Sequence, residues 1–193
     1  MMRILPSLER RLRELFPKER DLERFVNDAV LRALDEERPS FEEQPEAIGG
    51  TLHLFTDGAS RGNPGQAAIA CILEDPLTGK IIREHAERIG IETNNVAEYR
   101  ALIEGLKLAK RYYPLRLVCH LDAELIVKQL KGEYRVKMPT LQPLVEEIKE
   151  LASSLPNVSF HHIPRSDNHR ADALANRILD AHPSPPYEGG KRK

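Results

Sequence analysis

The 193-residue sequence has two cysteines, no long apolar run and almost no net charge, and each shortage removes a class of protein. Cys71 and Cys119 are too few for a disulfide framework, and neither stands in a CxxC or Cys/His spacing suited to zinc. Both lie inside apolar, strand-like runs, as buried free thiols do. No apolar stretch approaches the ~18 residues of a membrane span, and no signal-peptide pattern opens the chain, so the expected protein has no membrane partner and is cytoplasmic. A formal charge of −1 argues against a strongly basic nucleic-acid binder. That charge is uneven: residues 1–50 hold 9 Lys and Arg against 12 Asp and Glu, which leaves 20 basic and 18 acidic residues for the rest. A mildly positive main domain is compatible with a polyanionic substrate.

The chain divides by pattern. Residues 1–38 show helical periodicity, with Leu8, Leu12, Leu15 and Phe16 on one stripe. Leu22, Phe25, Val26, Ala29, Val30, Ala33 and Leu34 form a second, and Pro17 separates the two, which predicts an N-terminal helical hairpin. Its stripes would pack on each other, on the main domain or on a second copy; binding nucleic acid or a protein partner is the sharper alternative. Residues 39–50 are acidic, contain Pro39, Pro45, Gly49 and Gly50, and read as a linker. A main domain is expected over 51–181, and residues 182–193, proline-rich with a basic end, as a disordered tail.

Within the main domain Leu52, Leu54 and Thr56 alternate with His53, Phe55 and Asp57, the period of a strand ending in a carboxylate. A turn of Gly58, Gly62, Asn63, Pro64 and Gly65 follows. Gln66–Leu73 is nearly continuously apolar, as in a strand covered on both faces. Lys80–Ile89 reads as a third strand of an antiparallel meander, Thr93–Tyr112 as a helix and Leu115–Leu121 as a short buried strand. Helices over Asp122–Leu130 and Thr140–Leu155, a strand over Val158–Ile163 and a helix over Asp167–Asp180 complete the order βββαβααβα. That order implies an α/β fold, a mixed sheet flanked by helices.

Four carboxylates stand out. Asp57 and Asp122 close two strands, while Glu98 and Asp172 lie in the first turns of two helices, so all four can converge on one sheet edge. Acids gathered without matching bases repel one another unless cations lie between them, and hard oxygen ligands suit Mg²⁺ or Mn²⁺. Singly, each has a plainer explanation: Glu98 as the capping-box partner of an Asn95 N-cap, Asp122 as an N-cap, Asp57 as a turn residue, Asp172 as a helix-dipole acid.

Taken jointly, Asp57-Gly58-Ala59-Ser60-Arg61-Gly62-Asn63-Pro64-Gly65, Thr93-Asn94-Asn95-Val96-Ala97-Glu98-Tyr99, Leu121-Asp122-Ala123-Glu124 and Asn168–Asn176 closely resemble ribonuclease H type 1, in its compact prokaryotic and archaeal branch. The resemblance runs in order from about Leu52 to Leu179. It implies the ribonuclease H-like fold, a five-stranded mixed sheet whose third strand is antiparallel, flanked by helices. It also implies an endonuclease that hydrolyses the RNA strand of RNA/DNA hybrids with two Mg²⁺ ions, Mn²⁺ being an alternative, and leaves 5′-phosphate and 3′-hydroxyl ends. Carried over by position, Asp57, Glu98, Asp122 and Asp172 are the catalytic, metal-binding carboxylates. Gly58, Asn63, Asn95 and Gln129 become minor-groove contacts, with Asn94 beside them, and Lys128, Lys131, Arg135 and Lys137 become candidates for the DNA phosphates. Duplex RNA stays open as a second substrate.

Three departures bear on that reading. Ala123 replaces a serine common after the aspartate, a basic protrusion is missing between Gly132 and Thr140, and Pro164-Arg165-Ser166-Asp167 lacks the loop histidine of longer members. Transposases and integrases usually carry their Glu on a late helix, and proofreading exonucleases carry one two residues after the first Asp, where this chain has Ala59. The remaining alternative is a ribonuclease H-like nucleic-acid-binding module with weak or no catalysis.

Overall fold

The computed structural model describes residues 50–181, with Phe25 alone before them. The expected hairpin, residues 39–49 of the linker and the tail from His182 lie outside the described residues, Phe25 excepted. Strands β1 (Thr51–Gly62), β2 (Gly65–Glu74) and β3 (Ile81–Glu92) lead into helix α1 (Asn94–Lys110). Strand β4 (Arg116–Leu121), helices α2 (Glu124–Leu130) and α3 (Gln142–Ser153) and strand β5 (Val158–His162) come next. A 3-10 turn (Arg165–Asn168) then runs into helix α4 (His169–Asp180). The element order is the one the periodicities predict.

The five strands form one mixed sheet in the order β3-β2-β1-β4-β5. β2 is antiparallel to both β1 and β3, whereas β1, β4 and β5 are parallel. The strand that runs against the others is therefore the second, not the third. Two short reversals in succession explain this, because a second tight turn returns β3 to the direction of β1. β3 also runs three residues past its expected end, carried by pairing with β2 as far as Gly65↔Glu92 through an irregularity at Ala67/Ala68.

Helices cover both faces. On one, Leu52, Leu54, Leu117, Cys119 and Leu121 pack against Leu102 and Leu106 of α1, Ile126 and Val127 of α2, and Val145 and Ile148 of α3. On the other, Ala171, Leu174, Ala175 and Leu179 of α4 meet Ala68, Ala70 and Ile72. Strand β2 lies beneath both layers, and every residue from Ala67 to Leu73 is buried, which is why its sequence does not alternate. Each fully buried leucine contributes about 2 kcal/mol, so the face under α1 and α3 is the larger source of stability. Among the described residues no helix is long and apolar enough to cross a membrane.

One contact sets α1 against the sheet. A Cβ built on Gly58 would lie 2.2 Å from the carbonyl carbon of Ala97 and 2.2 Å from the amide nitrogen of Glu98. Backbone meets backbone here, with no flexible side chain to yield. Gly58→Ala is expected to destabilise the fold by roughly 3 kcal/mol, at the upper end of overpacking costs, because α1 must move as a body. Urea denaturation of the variant against the parent checks this; an unchanged midpoint would show that the helix is not seated on Gly58.

Candidate active site

Asp57 is placed in β1 just before Gly58, Glu98 in the second turn of α1, and Asp122 immediately after β4. β1 does not end at Asp57, as its alternation suggests, but runs on to Gly62 in its pairing with β2; its parallel pairing with β4 stops at Phe55↔His120, and Asp57 and Asp122, each two residues beyond that pair, emerge on the same edge. The close seat at Gly58 brings Glu98 to that edge from the helix. Each of these three side chains offers an oxygen, and the three oxygens lie within 4.8 Å of one another. Asp57 and Glu98 are buried and Asp122 is half-buried.

The plainer explanations of these acids do not hold. The N-cap of α1 is Thr93, whose hydroxyl accepts from the Val96 N–H at 3.3 Å, so Glu98 lies beyond the capping-box position. The residue before α2 is Ala123, without a side-chain cap, and Asp122 instead accepts from the Asn168 amide at 3.0 Å. Glu98 accepts a hydrogen bond from the Gly58 N–H at 3.3 Å.

Asp172, in the first turn of α4, stands apart from this cluster of three. One of its oxygens pairs with Arg165 and the other accepts from Asn176 at 3.1 Å. Asp172 is still near enough to add its charge to the repulsion that Asp57 feels.

Residues 55–178 match the family described as Reverse transcriptase-like. Over 137 residues the chain is 42% identical to the ribonuclease HI of Halobacterium salinarum, covering 71% of this chain and 68% of that protein. It belongs to the ribonuclease HI family. The crystal structure of RNase H1 from the same archaeon superposes with a TM-score of 0.67 at 41% identity, covering 69% of this chain and all of that one. LC11-RNase H1, solved in complex with an RNA/DNA hybrid, gives a TM-score of 0.64 at 39% identity over 67% of this chain and 97% of its own. A bifunctional protein of Mycobacterium tuberculosis is 38% identical over 128 residues, but this chain spans only about a third, 35%, of its length.

The remaining sequence-predicted positions of this ribonuclease HI chain fall into two groups. Asn63, Asn94 and Asn95 are exposed, and the Asn63 carboxamide oxygen accepts from the Asn94 N–H at 3.2 Å, tying the glycine-rich turn to the start of α1. Gln129, on α2, accepts from the Tyr99 hydroxyl. Gly58 is different: it is buried and its N–H is taken by Glu98, so its visible role is packing. Lys128 pairs with Glu124 at 2.8 Å and lies over the Tyr134 ring, whereas Lys131, Arg135 and Lys137 are exposed. His169 donates to the Ser166 carbonyl at 2.8 Å, while His161 and His162 are exposed on β5.

Two contributors escape the sequence reading. Asn168 is 1% exposed and donates both to the Thr56 carbonyl at 2.9 Å and to Asp122, pinning the middle of β1 to that carboxylate. Arg165 brings a guanidinium to the acids from the 3-10 turn. Asn168 lies within a motif that carries the resemblance; Arg165 has only its spacing of seven residues from Asp172 as a signal.

Electrostatics make the cluster costly without a cation. Burial, then Asp122 and Asp172, push the Asp57 carboxyl up to about 7, with Arg165 opposing. Burial, then Asp57 and Asp122, also raise Glu98 well above the usual carboxylate range, against the Gly58 N–H and Arg165. Three hard oxygen donors that resist sharing negative charge fit a divalent cation such as Mg²⁺ or Mn²⁺. The folded state then prefers Asp57 protonated, so its contribution to stability is complete below pH 4 and is lost as pH rises to about 7. The loss is at most about 1.4 kcal/mol per pH unit. In EDTA, Asp57→Asn is expected to raise Tm by roughly 5–10 °C at pH 8 and by less than about 2 °C at pH 4. Calorimetry of both proteins checks this. Added Mg²⁺ should raise Tm of the parent at pH 8 more than that of the variant.

Proposed function

We propose that this chain is an endonuclease that hydrolyses the RNA strand of RNA/DNA hybrids, with Asp57, Glu98, Asp122 and Asp172 holding two Mg²⁺ ions. The observation that carries the proposal is the convergence of Asp57, Glu98 and Asp122, with oxygens within 4.8 Å, in a chain of the ribonuclease HI family. The hybrid bound by LC11-RNase H1, 39% identical to this chain, supports the choice of substrate. Bound at the carboxylates, the ions would supply an acidified water as nucleophile and charge neutralisation for the leaving 3′-oxygen.

The chain itself supplies position and charge. Asp57 and Glu98, buried and crowded by neighbouring acids, form an oxygen-lined site whose negative charge calls for a proton or a cation. Asn168 donates to one oxygen of Asp122 at 3.0 Å, which orients that carboxylate. Arg165 neutralises Asp172, and would give up that pairing if Asp172 turned to a bound cation. The exposed amides of Asn63 and Asn95 can meet a minor groove, where an A-form-like hybrid displays 2′-hydroxyls and base edges. Exposed Lys131, Arg135 and Lys137 supply charge for phosphates without the basic protrusion. With all four acids present, catalysis is favoured over a purely binding module.

Purified protein incubated with labelled hybrid, single-stranded RNA and duplex RNA tests the reading. Cleavage of the hybrid is expected with Mg²⁺ or Mn²⁺ and none in EDTA, the products carrying 5′-phosphates. Intact hybrid under every metal condition would sink the proposal. Asn168→Ala is expected to lower the rate about 10–100-fold, as loss of a group that orients a metal ligand does, and Asp57→Asn by more than that. Equal rates for Asp57→Asn and the parent would remove Asp57 from the site.

A further inference from the structure

Beside the acidic cluster a cavity of about 880 Å³ is lined by Asn95, Glu98 and Tyr99 of α1, Gln129 of α2, and Tyr134 and Met138 of the segment after it. Tyr99 is 1% exposed, and its hydroxyl donates to the Gln129 side-chain oxygen, its one hydrogen bond among the described residues. The opposite arrangement, with the Gln129 amide donating to Tyr99, would leave a buried O–H proton with no acceptor, at a cost of about 1–3 kcal/mol. The bond therefore has a direction. Once the Gln129 oxygen is occupied, its NH₂ group is left without a protein partner among the described residues, in a side chain that lines the cavity.

We propose that Tyr99 is a positioning residue for substrate specificity: by holding the Gln129 oxygen it fixes the amide so that Gln129 offers the nucleic acid a donor, never an acceptor. Every base pair presents acceptors in the minor groove, purine N3 or pyrimidine O2, whereas only guanine adds a donor there. A fixed NH₂ is therefore indifferent to sequence, and a carbonyl in its place would favour guanine. This is the physical requirement for an enzyme that must act along a hybrid of any sequence. The inference rests on the hybrid-cleaving function proposed above.

The test compares the parent with Tyr99→Phe, Gln129→Ala, Gln129→Glu and the Tyr99→Phe/Gln129→Ala pair on two hybrids of equal length. One contains only A·T and A·U pairs and the other is rich in G·C. KM and kcat are read from cleavage with Mg²⁺, and Kd from fluorescence anisotropy in EDTA. The parent is expected to have the same KM on both within about twofold. Tyr99→Phe should raise KM about fivefold on the A·T/A·U hybrid, the worth of one neutral hydrogen bond, with a smaller rise on the G·C-rich one and kcat held within about twofold. In the Gln129→Ala background the same change should add nothing. Gln129→Glu keeps an acceptor for Tyr99 but removes the NH₂, and should raise KM at least as much as Gln129→Ala even if Tyr99→Phe folds poorly.

Multiplicative losses in the double variant, an equal KM rise on both hybrids, or parental KM in Gln129→Glu would each overturn the inference. A parent that binds hybrid without cutting it overturns the hydrolytic function alone, because the same comparison is then read from Kd. A parent that neither binds nor cuts overturns both.

Discussion

The seat of α1 on Gly58 is the constraint on which the site depends. Asp57 belongs to a strand and Glu98 to a helix, and the backbones of stacked layers normally stand about 10 Å apart. Here the missing Cβ lets the Ala97–Glu98 backbone descend onto β1, and the Gly58 N–H closes the gap with a hydrogen bond to Glu98 itself. The same glycine therefore brings the second carboxylate to the first and partly compensates its charge. Parallel pairing of β1 with β4 supplies the third acid, and Asn168 ties Asp122 to the Thr56 carbonyl so that the middle of β1 and the end of β4 share one anchor.

That convergence is bought against stability. Asp57 is raised first by burial and then by Asp122, and Glu98 first by burial and then by Asp57, so the metal-free protein holds unfavourable electrostatics at this buried edge. Arg165 is the partial remedy, and its placement is informative. It pairs with Asp172, the acid standing outside the cluster of three, instead of entering between Asp57, Glu98 and Asp122. A guanidinium inside the cluster would relieve more repulsion but would compete with a cation for the same oxygens. Held on Asp172, it screens from the side and leaves the centre open.

Much of this was legible in the sequence, for identifiable reasons. The apolar run 67–73 announced a strand covered twice because helices lie on both faces of β2, and the four acids stood out through the motifs around them, although Asp57 lies in the middle of β1 and not at its end. What the sequence carried poorly was direction and reciprocity. Periodicity locates β3 but not its orientation, which follows from two successive short turns. Gly58 is carried by resemblance as a groove contact, and the 2.2 Å approach of the helix backbone gives it a packing role that no sequence pattern announces. Asn168 and Arg165 act through partners 46 and 7 residues away, distances at which no local pattern exists. The helical stripes of residues 1–38 lie outside the described residues and stay at the level of pattern.

A chain of net charge −1 that handles a polyanion must place its charge economically. Lys128 is already committed to Glu124 and the Tyr134 ring, so it stiffens the wall of the cavity more than it attracts phosphate. Arg135 and Lys137 line the same cavity, alternating with Tyr134, Val136 and Met138, and Tyr134 and Met138 are 52% and 50% exposed. Exposed apolar side chains interleaved with cations suit a strand whose sugars are apolar-faced and whose phosphates are not. The short segment after α2 thus carries cations and exposed apolar side chains on one surface. Salt should then weaken binding less steeply than in a family member that relies on many lysines, because fewer phosphates are neutralised per complex.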